Sequence, residues 1–153
     1  MSRMRQPMIS IVIYALLAGS LAFAEKRAIT PKELNAVPTT GPKPPFSAGI
    51  LVNNTLYVAG QVGRDLKTGQ LPQDFESEVK NALQNAGLVL KEAGFSFSDV
   101  VTVQVYLTDM DLFQRMNTVY ATFFPEPRPA RTTVGVAKLV AGAKIEITIT
   151  AQK

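Results

Sequence analysis

Pro129-Ala130-Arg131-Thr132-Thr133-Val134, with Glu146 fifteen residues beyond the Arg, is where the residue types of this chain can do chemistry, because its 153 residues include no His and no Cys. Without those two types the Ser/His/Asp triad, the thiolate nucleophile and the usual zinc and haem ligand sets are closed off. Arg, Glu, Asp, Lys, Tyr, hydroxyls, backbone amides and water remain. Arg131 stands between Pro129 and the start of a strand, so its backbone is restricted and its guanidinium can offer a fixed fork to a carboxylate. Glu146, on the polar side of an alternating strand, can orient or deprotonate a water if it lies near that fork. Each also has a purely structural use: Arg131 in an ion pair, Glu146 as a solvated carboxylate or a cross-sheet partner. Spacing alone does not decide between them.

The elements that must position these groups follow from periodicity. Residues 144–151 alternate, with Ile145, Ile147 and Ile149 inward, and 132–137 read as the strand before them. Val101, Val103, Val105 and Leu107 are expected on one face of an earlier strand, with Thr102, Gln104 and Tyr106 on the other. Asp74 can cap a helix with apolar positions Phe75, Val79, Ala82, Leu83, Ala86 and Leu90, which Gly94 ends. Glu76 and Glu78 fall in its first turn, where the helix dipole favours them. Asp111 with Gln114 resembles a capping box opening a second helix, whose face is Leu112, Met116, Val119, Tyr120 and Phe123. Two short apolar runs, 50–52 and 56–59, flank the turn Asn53-Asn54-Thr55 as a hairpin, and Gly60 to Gly63 read as a flexible exit from it. The order is ββαβαββ, an α+β sheet with both helices packed on one face. The opposite face, with Thr102, Gln104, Tyr106, Glu146, Thr148 and Thr150, is too polar for a dry core, and a subunit interface is one solution.

Three further positions bear on a site. Asn117 is unfavourable in mid-helix, which points to a side-chain hydrogen bond fixing a loop, and Tyr120 one turn on reads as core. Gly60 lacks the spacing of a phosphate loop and reads as a turn, with a close backbone approach to a ligand left open.

The rest of the chain bounds the setting. Its length fits one domain, and 46% hydrophobic with 18% charged residues is an ordinary globular composition. Residues 1–24 have the three parts of a signal peptide: Arg3 and Arg5, an apolar stretch from Met8 to Ala18, and Ala22-Phe23-Ala24 as a small-x-small cleavage site. Cleavage there predicts a periplasmic or secreted chain starting at Glu25, with no membrane association afterwards. Residues 25–46, with Pro31, Pro38, Pro42, Pro44 and Pro45, read as an extended arm leading into a domain at 47–153. Loss of Arg3 and Arg5 leaves 14 basic against 12 acidic side chains, a scattered +2 that gives no footprint for nucleic acid.

Ala59-Gly60-Gln61-Val62, Lys67-Thr68-Gly69, Asp99-Val100-Val101, Leu107-Thr108-Asp109-Met110, Asn117-Thr118-Val119-Tyr120, Arg128-Pro129-Ala130-Arg131-Thr132-Thr133-Val134 and Lys144-Ile145-Glu146-Ile147 together resemble the Rid family of reactive intermediate/imine deaminases, over roughly residues 41–151. The resemblance implies a chorismate-mutase-like fold and a homotrimer whose sheets form a central barrel, with clefts between subunits. It implies hydrolysis of enamines and imines such as 2-aminoacrylate and 2-iminobutanoate to 2-oxo acids and ammonia, with no metal or organic cofactor. By the same resemblance Arg131 binds the substrate carboxylate, Glu146 positions water, Asn117 supports the site, Gly60 supplies a backbone contact, and Phe46 and Thr133 line the cleft. Phe46 stands where the family usually has Tyr, Ala59 where Ser is usual and Thr133 where Cys or Ser is common, so the cleft loses two hydroxyls. A non-catalytic module of the same fold, binding a small carboxylate or a protein partner, is the alternative those substitutions motivate.

Overall fold

A computed structural model describes residues 25–36 and 44–153. The signal-peptide reading and the middle of the Pro-rich arm lie outside the described residues.

Six strands form one sheet in the order β1-β2-β3-β6-β4-β5: β1 Lys26–Ile29, β2 Gly49–Val52, β3 Thr55–Val62, β4 Val100–Leu107, β5 Ala130–Gly135 and β6 Ile145–Gln152. Among the described residues three α-helices accompany them: the short α1 Lys32–Asn35, α2 Phe75–Glu92 and α3 Phe113–Tyr120. The expected apolar face of α2 is buried throughout, together with Val89. It packs on Leu56 and Val58 of β3, Val103, Val105 and Leu107 of β4, and Ile145, Ile147 and Ile149 of β6, all buried. Each such Leu, Ile or Phe contributes about 1.5–3 kcal/mol relative to exposure, so this layer holds helices and sheet in one fixed relation. Asp74 caps α2 by accepting from the Ser77 amide at 2.8 Å, and hydrogen bonding to Ser77 lowers its carboxyl pKa from 3.8 to about 2. Gly94, at φ +81°, supplies the left-handed turn after the helix.

Four expectations change. The arm is not wholly irregular, because Lys26–Ile29 pairs antiparallel with β2 as an edge strand and buries Ile29. Gly60 to Val62 are not a loose exit either. They continue β3, and a bulge lets Ala59 and Gly60 oppose the single residue Thr148. A second register shift, between Val100 and Thr102 of β4, turns Val101 outward to 45% exposure and gives its inward place to Val100. Asp109, not Asp111, caps the α3 region: its carboxylate accepts from the Asp111 amide at 2.9 Å, and a 3-10 turn at Met110–Leu112 precedes the α-helix.

The element that matters for the site is β5. It runs parallel to β4, which requires a crossover, and α3 is that crossover. Residues on the inward side of β5 therefore lie beneath α3.

The start of α2 also ties down two strand ends. Glu78 is not simply a dipole-facing surface residue: it is buried, and its carboxylate accepts from the amides of Lys144 at 2.6 Å and Ile145 at 3.3 Å. Asn81 donates to the Gly63 carbonyl, and Asn85 donates to the carbonyls of Val62 and Arg64. The strand segments carrying Gly60 and Glu146 are thus fixed to one helix.

Candidate active site

Arg131 is in register with Val103 and Thr133 with Val105, so both side chains leave the sheet on the helix-covered face, at its edge and under α3. The Arg131 guanidinium carbon lies 4.5 Å from the Tyr120 ring centroid and 5.6 Å from that of Phe113. Its Nη1 is 3.8 Å from the Met116 sulfur, a weak acceptor. Among the described residues no carboxylate comes within ion-pair distance of it. The structural alternative for Arg131, an ion pair with an Asp or Glu, is therefore not its use among the described residues. Arg128, by contrast, is paired with Glu126 at 2.6 Å.

Arg131, Arg128, Pro129, Asn117, Tyr120 and Ala121 line an open cleft of about 450 Å³. Asn117 was expected to fix a loop, but among the described residues its side chain makes no hydrogen bond, and it faces this cleft instead. The Tyr120 hydroxyl and Thr133 Oγ1 are buried with no hydrogen-bond partner among the described residues. Burial raises the Tyr120 pKa, and the positive charges of Arg131 and Arg128 partly offset the rise.

Glu146 belongs to the other side of the sheet. It is in register with Tyr106 of β4 and Val62 of β3, and its neighbours Ile145 and Ile147 are the ones that point into the core. Its carboxylate lies across the β3 bulge, so close that a Cβ on Gly60 would fall 1.9 Å from Oε1. Gly60 is thus the residue that gives Glu146 its space, rather than a turn. Ala59 donates to the Ala48 carbonyl at 2.9 Å, which brings the segment carrying the 65%-exposed Phe46 alongside the bulge.

Within one copy the expected residues therefore form two half-sites. Arg131 and Thr133 lie beneath α3, which carries Asn117, while Glu146 and Gly60 meet on the open sheet face. The sheet stands between them, so the condition that Glu146 lie near the Arg131 fork is not met inside a single chain.

The family model described as Endoribonuclease L-PSP matches residues 38–153. The chain belongs to this family. It is the Rid family that the motifs resemble, and imine deaminases are among its members. A 2-iminobutanoate/2-iminopropanoate deaminase of Mus musculus is 43% identical over 104 residues, covering 67% of this chain and 77% of its own. A RutC family protein of Pyrococcus horikoshii is 43% identical over 115 residues, covering 73% of this chain and 91% of its own. The crystal structure of RidA from the Antarctic bacterium Psychrobacter superposes with a TM-score of 0.75 at 32% identity, covering 83% of this chain and all of that one.

This Rid-family chain also sets against Arg131 residues that sequence reasoning passed over. Tyr120 was read as core, and at 4% exposure it is, yet its ring is also the floor beneath Arg131. Its position three residues after Asn117 was the available signal. Phe113 carried none, since nothing in the α3 sequence shows which strand lies below it.

Proposed function

We propose that this chain is an exported, cofactor-free imine deaminase that hydrolyses 2-imino acids of the 2-aminoacrylate and 2-iminobutanoate type, working as a homotrimer with its sites between copies. The observation that carries this is the Arg131 fork, held by aromatic rings with no carboxylate of its own, at the wall of a cleft that fits a small acid. The deaminase named among the relatives supports the reaction class.

In this reading Arg131 of one copy holds the substrate carboxylate through paired charge-assisted hydrogen bonds. Glu146 of a neighbouring copy positions a water against the C=N carbon. The water oxygen adds to that carbon as Glu146 takes one of its protons, that proton passes to the nitrogen, and the carbinolamine breaks its C–N bond as the hydroxyl proton moves to the departing nitrogen, giving the 2-oxo acid and ammonia. Much of the acceleration comes from orientation of an already labile bond. The division of the residues between two faces of the sheet supports assembly, because only a second copy can bring a Glu146 to an Arg131. The signal-like segment supports export, and mass spectrometry of the processed form should find Glu25 at its start.

Activity is tested by adding the processed protein to enzymatically generated 2-iminobutanoate and following 2-oxobutanoate. Acceleration over the uncatalysed rate is expected, and its absence removes the proposal. Stabilisation by 2-oxobutanoate without turnover would instead favour the carboxylate-binding module that the missing hydroxyls at Phe46 and Ala59 suggest. A ribonuclease reading would call for a row of phosphate-binding cations, and of the two in the cleft Arg128 is already paired with Glu126.

Gly60→Ala separates site geometry from folding. The added Cβ meets the tip of a flexible side chain, so the Glu146 carboxylate swings away while the backbone stays. Turnover is expected to fall by about tenfold or more, with little change in melting temperature. Unaltered turnover would show that the carboxylate position is unimportant.

A further inference from the structure

We infer that Tyr120 is the positioning residue for Arg131, its ring serving as a platform that holds the guanidinium while leaving to the ligand the hydrogen-bond donors not directed at the Met116 sulfur. The inference rests on the carboxylate-binding reading of Arg131 and adds to it a residue and a means.

A guanidinium is commonly immobilised by a carboxylate, which occupies two of its five N–H groups and cancels its charge. Among the described residues Arg131 is held without one. An aromatic face attracts the cation through its quadrupole and carries no charge that would cancel it or oxygens that would take its N–H groups in pairs. At 4.5 Å the Tyr120 centroid is the nearer of the two rings, with Phe113 at 5.6 Å. The platform is itself rigid. Tyr120 ends α3 at 4% exposure, and its ring lies 4.4 Å from that of Phe124, which meets the edge of Phe97 at 5.2 Å and 88°. The Tyr120 hydroxyl has no hydrogen-bond partner among the described residues, so packing and the cation, rather than a polar tether, keep the ring in place. Hence the ring, not the hydroxyl, is the functional part.

The experiment compares Tyr120→Phe with Tyr120→Leu in the full assembled protein, reading KM and kcat for 2-iminobutanoate and, by calorimetry, the affinity for 2-oxobutanoate. Tyr120→Leu is expected to raise KM and weaken 2-oxobutanoate binding by the same factor, about tenfold, with kcat changed less than about threefold. Tyr120→Phe should restore both to near the parent values. If Tyr120→Leu does not fold, Tyr120→Met, a flexible side chain without a ring, serves in its place. Parent-like affinity in the ringless variants overturns the inference, and so does a Tyr120→Phe variant as impaired as Tyr120→Leu. Arg131→Ala, measured in the same series, separates the two levels. If it loses affinity while the ringless variants do not, only the Tyr120 platform fails. If it binds as the parent does, the reading of Arg131 fails with it.

Discussion

Arg131→Ala is expected to lower kcat/KM for 2-iminobutanoate by roughly 100-fold or more, while the protein assembles and melts much as the parent does. Two charge-assisted hydrogen bonds to a carboxylate are worth about 1.5–3 kcal/mol each, and each 1.4 kcal/mol is a factor of ten. Stability should change little because the side chain leaves behind no unpaired carboxylate. What it gives up is a cation–ring contact at the sheet edge, with a distant sulfur as its sole hydrogen-bond acceptor among the described residues. The melting temperature should therefore stay within about 5 °C of the parent. A variant that keeps its turnover would refute the assignment of the fork. A variant that unfolds would show that Arg131 serves the fold instead.

Gly63→Ala should have the opposite profile, a large loss of stability from a residue outside the cleft. Gly63 crosses the first turn of α2 so closely that a Cβ would lie 2.0 Å from the Glu78 carbonyl oxygen and 2.6 Å from its carbonyl carbon. Unlike the contact at Gly60, this one is with helix backbone, which cannot swing aside. Separating β3 from α2 would also strain the bonds from Asn81 and Asn85 that secure this strand end. Overpacking of this kind costs about 3 kcal/mol or more, enough to lower the melting temperature by roughly 10 °C or to leave the chain insoluble. Urea unfolding measures it, and a variant within about 0.5 kcal/mol of the parent would contradict the close crossing.

Where local pattern decides structure, the sequence could be read directly. The α2 face recurs at helical spacing from Phe75 to Leu90, and β6 alternates from Ile145 to Ile149; both are as expected. Val101 misled because a bulge shifts the phase of β4 by one residue, and a bulge leaves no mark on an unbroken run of β-branched residues. Gly60 and Gly63 resembled flexible linkers because two glycines so close together usually are. Their actual cause is tertiary: Glu146 and Glu78 occupy the space their side chains would need. Pro-rich composition concealed β1 for a similar reason, since its partner residues in β2 lie twenty or more positions away in sequence.

The division of the site was hidden in β5. Ala130, Thr132 and Val134 are exposed on one side while Arg131 and Thr133 are half-buried on the other, so no hydrophobic alternation announces which side faces the helices. Only the parallel register with β4 places Arg131 beneath α3 and away from Glu146. The residue types were legible in the sequence, whereas their placement on opposite faces required the fold.

Subunit complementation tests that placement most directly. Arg131→Ala and Glu146→Gln proteins, each inactive alone, are mixed in equal amounts under conditions that exchange subunits, and 2-oxobutanoate formation is measured. If each site takes its Arg from one copy and its Glu from another, random mixing recovers about a quarter of the parent activity. If the mixture stays as inactive as its components although mixed oligomers form, the site does not draw these two residues from different copies, and the account is wrong.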